Sequence, residues 1–234
     1  MLSFIIPAWN EEELIGKTIE SIHIAARAVD HPYEIVVADD SSNDRTAEIA
    51  ESLGATVVYC DNRQIGVTRN DGAFASKGEW LVFVDADTLV STEVVRETIE
   101  AFDAGAVSGT SFPTFDEDIP FLARVLTPML GISFRVLRLA AGAYLFCTRE
   151  AFDAVGGFDK KFFAGEEVHL STSLHKHGPF KTLKSQVVTS GRKFRTFSSA
   201  EMLVTLLMVT IPGVRRIRKR PKLWYGDRQP DSRE

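Results

Sequence analysis

Short apolar runs at residues 2–6, 33–38, 55–60 and 80–84 alternate with longer segments whose apolar positions recur every three or four residues. The runs fit strands, and the longer segments fit amphipathic helices. Leu14, Ile15, Ile19, Ile22, Ala26 and Val29 form one helical face, and Asn10 followed by Glu11, Glu12 and Glu13 supplies an N-cap and an acidic first turn just upstream. Pro7 ends the first strand. Further helices are predicted over 44–53, 65–76 and 93–102. Regular alternation of strand and helix with short polar connections implies an α/β fold with a mostly parallel, doubly wound sheet. Trp80-Leu81-Val82-Phe83-Val84 has no polar interruption, as expected of a strand covered on both faces.

The rhythm changes at Gly105. A strand over 106–112 precedes a long apolar stretch, 119–139, that Pro128 interrupts and that carries Arg124, Arg135 and Arg138, charges that argue against a simple membrane span. A strand over 142–148, a helix over 149–155, a turn at Gly156-Gly157-Phe158-Asp159 and a helix over 166–177 follow, the last with Leu170 and Leu174 facing inward. Residues 200–217 are apolar first and then strongly basic, and 230–234 read as a disordered tail.

A chain of 234 residues that is 44% hydrophobic fits one globular domain, and a formal net charge of −5 gives no general attraction for nucleic acid. Cys60 and Cys147 lie in apolar strand-like runs, the pattern of reduced core thiols in a cytoplasmic protein rather than of a disulfide framework. The first strand has no basic leader and no cleavage site, so no signal peptide is expected.

Candidate chemistry collects at predicted strand ends, the edge where open α/β sheets gather ligands. Asp85 and Asp87 follow the apolar run 80–84 at i, i+2 spacing, which in extended backbone puts both carboxylates on one side of the chain. Such a pair suits a hard divalent cation, Mg²⁺ or Mn²⁺; capping of the next helix is the competing explanation. Asp39 and Asp40 end the second strand, where a buried acid can accept a hydrogen bond from a base or ribose, while Asn43 or Asp44 can cap the helix that follows. Arg69 sits in Gly66-Val67-Thr68-Arg69-Asn70-Asp71-Gly72; a lone arginine is usually solvated, but beside the acidic clusters it reads as a cation reaching toward a diphosphate.

Five strings, in this order and spacing, resemble the family 2 glycosyltransferases, inverting enzymes with the nucleotide-sugar-binding GT-A fold. They are the stretch from Ser3 through Ile6-Pro7-Ala8-Trp9-Asn10-Glu11-Glu12, the stretch from Glu34 to Asp44, residues 66–72, Val84-Asp85-Ala86-Asp87, and Gly156-Gly157-Phe158-Asp159 followed by Gly165-Glu166-Glu167-Val168-His169-Leu170. The resemblance spans about residues 2–177 and implies a single GT-A type domain over 1–195 with a helical C-terminal extension. Its Rossmann-like nucleotide-binding half would be 1–104, its acceptor half 105–195, and 196–234 an amphipathic basic helix and tail. Carried over by position, Pro7, Ala8 and Glu11 resemble the wall of the nucleoside pocket and Asp39 the acid that reads the base. Arg69 resembles the residue near the diphosphate. Asp85 and Asp87 resemble the metal pair, with Asp87 the direct ligand and Asp85 nearer the ribose or donor sugar. The family commonly has Glu-Asp where this chain has Glu166-Glu167, so Glu167 corresponds to the general base and Glu166 to a neighbour in the substrate site. An acidic first turn favoured by the helix dipole is the alternative for both.

The resemblance implies a nucleoside diphosphate sugar donor, a uridine one favoured, with Mn²⁺ or Mg²⁺ as cofactor and a glycan or lipid-linked hydroxyl as acceptor. His169 could touch metal or acceptor, whereas His175 and His177 suit a helix C-terminus; Arg192 is an outside candidate for the diphosphate. Phe112, Phe115, Phe121, Phe134 and Tyr144 could line an acceptor groove or pack in the core. Residues 200–225 combine an apolar face, a cationic cluster and Trp224-Tyr225, which fits contact with the inner membrane face or a homodimer interface. Two other functions stay open: a non-catalytic nucleotide-sugar-binding subunit, and a sugar-phosphate nucleotidyltransferase, although residues 7–10 lack the Gly-rich loop the latter needs.

Overall fold

Strand parity decides which layer each apolar side chain enters. The computed structural model describes residues 1–116, 119, 131–132, 134–140, 142–163 and 165–192. In chain order the elements are β1 (Leu2–Ala8), α1 (Ile15–Ala28), β2 (Tyr33–Asp40), α2 (Thr46–Ser52), β3 (Thr56–Cys60), α3 (Ile65–Ala75), β4 (Trp80–Val84) and β5 (Thr88–Leu89). Then come α4 (Thr92–Asp103), β6 (Ser108–Thr110), β7 (Pro113–Phe115), β8 (Tyr144–Thr148), α5 (Arg149–Val155), α6 (Glu166–Leu174), β9 (Phe180–Thr182) and β10 (Val187–Thr189). Phe4, Ile6, Val82, Val84, Tyr144 and Phe146 share one buried cluster with α1 and α4. Their neighbours Ile5, Leu81, Phe83, Leu145 and Cys147 share the other with α3, α5 and α6. Alternate residues of each central strand thus feed opposite layers, which is why these strands read as unbroken apolar runs.

The main sheet runs β3-β2-β1-β4-β8-β6-β9, with β1 parallel to β2 and β4, β2 parallel to β3, and β8 antiparallel to both β4 and β6. A second sheet, β5-β10-β7, closes over the end of β4. The α/β class and the mostly parallel sheet agree with the expectation from the alternating pattern, and the first-half elements fall near their predicted ranges.

Several local expectations are corrected. Pro7 does not end β1: pairing with β4 stops at Ile5, so the proline interrupts no ladder on that side while the strand continues against β2 as far as Ala8. The first helix starts at Ile15 rather than at Asn10, whose φ of 52° is left-handed. The polar groups of 10–12 are spent instead on the β2–α2 loop: Asn10 N donates to Ser42 Oγ, Asn43 N to Asn10 Oδ1, and Glu11 N to Thr46 Oγ1 at 2.7 Å. Burying Ile15, Ile19 and Ile22, at about 1.5–3 kcal/mol each, outweighs the ~1 kcal/mol of the missing side-chain cap.

Residues 85–88 form a turn in which Thr88 N donates to Asp85 O, so the expected extended spacing of the two acids is lost. Ser91, not either aspartate, caps α4 through Val94 N. The strand predicted over 106–112 is short β6, and the chain then crosses into the second sheet as β7. The helix predicted over 166–177 stops at Leu174. Tyr144 is core, its hydroxyl 2.9 Å from Thr98 Oγ1. Most of the 119–139 stretch, Phe121 and all of 193–234, including the proposed membrane or dimer surface at 200–225, lie outside the described residues. Among the described residues no helix is long and apolar enough to cross a membrane.

Candidate active site

α3 lies close on the sheet because Gly72 leaves room: a Cβ there would stand 2.7 Å from Ile5 Cγ2 on β1. One turn earlier on the same buried face is Arg69, 1% exposed and among the largest fully buried side chains. Its Nη1 donates to Glu167 Oε1 at 2.8 Å and lies 3.4 Å from Glu166 Oε1. Its Nη2 donates to Asp85 Oδ1 at 2.8 Å and to Gly142 O at 3.3 Å, and the Phe158 ring lies 5.3 Å from the guanidinium carbon. One buried cation thereby gathers carboxylates from the end of β4 and the start of α6. The terminal nitrogens expected to face a diphosphate are occupied by the protein's own acids.

The loop before α6 is tied to α3. Gly156 and Gly157 take φ of 77° and 72°, which lets the chain turn back after α5. Asn70 then holds Phe158 by both of its backbone groups, at 2.8 and 2.9 Å, and Gln64 Nε2 donates to Lys160 O and Phe162 O. These contacts fix where Glu166 and Glu167 enter.

The two glutamates differ in environment. Glu166 is buried, and burial together with the charge of Glu167 pushes its pKa well above the usual carboxylate range, against the opposing pull of Arg69. Glu167 keeps 17% of its side chain exposed, and its Oε2 takes no hydrogen bond among the described residues. Burial by itself lowers the Arg69 pKa, but the charges of Glu167, Asp85 and Glu166 more than reverse this and keep it protonated.

A second arginine serves the other acid of the turn. Arg192 Nη2 lies 2.6 Å from Glu11 Oε1 and 3.0 Å from Asp87 Oδ2, while Thr189 Oγ1 on β10 donates to Asp87 Oδ1 at 3.3 Å. Asp85 and Asp87 therefore address different arginines. Burial lowers the Arg192 pKa, and its hydrogen bond to Glu11 and the charge of Asp87 raise it further than burial lowers it.

At the end of β2, Asp39 and Asp40 divide their tasks. Asp40 accepts from Asn62 N, Arg63 N and Thr68 Oγ1, so it pins the β3–α3 loop. Asp39 is 2% exposed; its Oδ2 accepts from Ser42 N, and its Oδ1 is buried with no hydrogen-bond partner. A buried acceptor left without a donor is costly unless a ligand supplies one. Pro7 and Ala8 lie beside it in register with Ala38 and Asp39, and Arg63 stacks over Trp9 at 4.9 Å.

Pro7, Ala8, Glu11, Asp39, Arg69, Asp85, Asp87, Glu166 and Glu167 thus all lie along the strand-end edge, in an Arg69-centred group, an Arg192-centred group and an Asp39 group. His169 stays apart, packed on Phe162 and 4.0 Å from Asp159. Gly142 and Thr189 carried no sequence signal, since their roles depend on strands that meet only in the fold. Arg192 had one, the basic run after the last strand. Both cysteines are free thiols, and burial pushes the Cys60 thiol up to about 12.

Among the described residues no set of three or more His, Cys, Asp or Glu side chains is gathered to hold a metal. Carboxylate oxygens are the donors a hard divalent ion takes, and at Asp87 a protein cation, Arg192, already rests on them, whereas Asp85 is turned to Arg69.

The sequence profile described as glycosyl transferase family 2 matches residues 3–158. A 4,4'-diaponeurosporenoate glycosyltransferase of Staphylococcus haemolyticus is 37% identical over 105 residues, covering 42% of this chain and 27% of that protein. The chain spans about a quarter to a half of the length of the curated relatives it matches. The fold is shared with S. aureus TarS 1-349 in complex with UDP-GlcNAc, at a TM-score of 0.66 and 18% identity over 89% of this chain and 65% of that one. It is shared equally with the mannosyltransferase PcManGT of Pyrobaculum calidifontis in complex with GDP-Man and Mn²⁺, at a TM-score of 0.66 and 19% identity over 92% and 66% of the two chains.

Proposed function

The chain belongs to glycosyl transferase family 2, and on that premise we propose that it moves a sugar from a nucleoside diphosphate donor to a hydroxyl acceptor, with inversion and with a divalent cation. The observation that carries this reading is the Arg69-centred group, which joins the β4 end to the Glu166-Glu167 turn. Beside it, the orphaned Asp39 oxygen is an acceptor suited to a base N–H.

In this mechanism Asp39, flanked by Pro7 and Ala8, receives the nucleoside. Asp87, with Asp85 next to it, would hold Mn²⁺ or Mg²⁺, which when bound neutralises charge on the leaving diphosphate. Glu167 removes the acceptor hydroxyl's proton through Oε2 as that oxygen attacks the anomeric carbon. Arg69 holds Oε1, fixing the carboxylate's direction before each turnover. Glu166 is the poorer base, because burial favours its neutral state. Uridine donors come first through the family resemblance, although PcManGT was solved with a guanosine donor. A glycan or lipid-linked acceptor belongs to the same proposal, as does use of 200–225 for membrane contact or, alternatively, for a homodimer interface.

A thermal-shift screen with Mn²⁺ across uridine, guanosine and thymidine diphosphate sugars tests the donor class. The expected result is stabilisation by one nucleotide series of about 2–3 kcal/mol at a hundredfold excess over Kd. No stabilisation by any of them would remove the donor reading.

Gly142 gives a geometric test of the base. A Cβ at 142 would lie 2.6 Å from Glu167 Oε1, so Gly142→Ala must displace that carboxylate. Turnover is expected to fall about 10- to 100-fold, since ångström-scale misplacement has effects of that order, while donor affinity holds. Steady-state kinetics beside donor calorimetry would check it.

A further inference from the structure

We propose that Arg192 occupies the cation position of Asp87 when no donor is bound, and that an arriving divalent ion displaces its guanidinium onto the donor diphosphate. This rests on the reading of Asp87 as a metal ligand. Three features of the geometry point to it.

First, Glu11 and Asp87 both lie against one nitrogen, Nη2, at 2.6 and 3.0 Å. Two carboxylates that close repel each other unless a positive charge sits between them, so this place demands a cation whichever one fills it. Second, the pair is deeply buried, with side-chain exposures of 3% and 5%, whereas the arginine that serves it retains 22%. Glu11 is tied down by its backbone N, which donates to Thr46 Oγ1, and Asp87 by Oδ1, which accepts from Thr189 Oγ1, while the cation is the more exposed member. Third, Arg69 and Arg192 contrast. Arg69 is 1% exposed and rises from inside α3, so it cannot leave without opening the core. Arg192 follows β10, outside the main sheet, and keeps 22% of its side chain exposed.

A guanidinium and a divalent ion held against one carboxylate repel each other, so an ion arriving at Asp87 weakens the Arg192 contact. Double charge and direct coordination favour the ion once diphosphate oxygens complete its shell. The displaced guanidinium then has a planar, bidentate match in the diphosphate that has just entered. Arg192 therefore suppresses metal binding in the absence of donor and strengthens donor binding in the presence of metal. A merely structural arginine has no such pair of opposite effects.

The test is calorimetry of the full chain and its Arg192→Gln, Arg192→Lys and Asp87→Ala variants, with Mn²⁺ alone and with UDP plus Mn²⁺. Arg192→Gln is expected to bind Mn²⁺ alone about tenfold more tightly and UDP plus Mn²⁺ about tenfold more weakly, the scale of one charge-assisted contact. Arg192→Lys keeps the competing charge and should stay within about threefold of the unmodified chain for Mn²⁺ alone. Unchanged or weaker binding of Mn²⁺ by Arg192→Gln, with binding lost in Asp87→Ala, would overturn the displacement and leave the metal reading standing. Full Mn²⁺ binding by Asp87→Ala would overturn both. Should Arg192→Gln fold poorly, the Arg192 Nε–H resonance of the unmodified chain serves in its place: it must move when Mg²⁺ and UDP are added, and an unmoved signal overturns the displacement.

Discussion

Glu167→Gln is expected to leave donor affinity within about twofold of the unmodified chain and to lower turnover by about 10²- to 10⁴-fold. Gln preserves the length of the side chain and keeps an oxygen for the bond to Arg69 Nη1, so the constellation around α6 stays assembled. What disappears is the negative charge and the lone pair able to take a proton. The effect should therefore fall on kcat, because the base acts only as the acceptor oxygen attacks. Glu166→Gln is the control: Glu166 is buried and its acidity already suppressed, so its loss should cost far less in kcat. Arg69 is a poor place to make this test. Its removal would leave Asp85, Glu166 and Glu167 without their shared cation, at about 3–5 kcal/mol of stability, and a loss of activity would not separate chemistry from folding. Normal turnover in Glu167→Gln would move the base elsewhere.

Asp87→Ala is expected to lower metal-dependent donor affinity by about 10²- to 10³-fold, because it takes away the direct ligand and with it the charge stabilisation that the ion would give the diphosphate. The fold should survive. Asp87 lies on a turn after β4 rather than in a strand, and Arg192 keeps Glu11 as its partner. Calorimetry with UDP and Mn²⁺ separates this from the loss expected of Glu167→Gln, one variant failing in binding and the other in turnover.

Much of the fold was legible because β1, β2 and β4 are covered on both faces and so read as unbroken apolar runs, while α1 and α4 repeat at helical spacing. The elements around β6 to β10 were harder to read because several have only three residues, too few for any period to register. The start of α1 was misplaced for a different reason. Asn10, Glu11 and Glu12 look like a cap and an acidic first turn, yet their hydrogen bonds go to residues 42–46, more than thirty positions away. Capping rules see only neighbours in sequence.

The acids of the site could be read one by one, but their partners could not. Nothing in a strand-end Asp-Ala-Asp says that the turn at 85–88 sends one carboxylate to Arg69 and the other to Arg192. That division depends on the second sheet closing over β4, a long-range event. It also changes what Arg69 does: expected to reach a diphosphate, it serves in this structure to hold Asp85, Glu166 and Glu167 together.

Release of nucleoside diphosphate from a panel of uridine, guanosine and thymidine diphosphate sugars, with Mn²⁺, measured side by side for the unmodified chain and Asp87→Ala, tests the central claim most directly. The expected result is slow, metal-dependent release from one nucleotide series that disappears in Asp87→Ala. Release that Asp87→Ala retains, or no release from any donor, would contradict it.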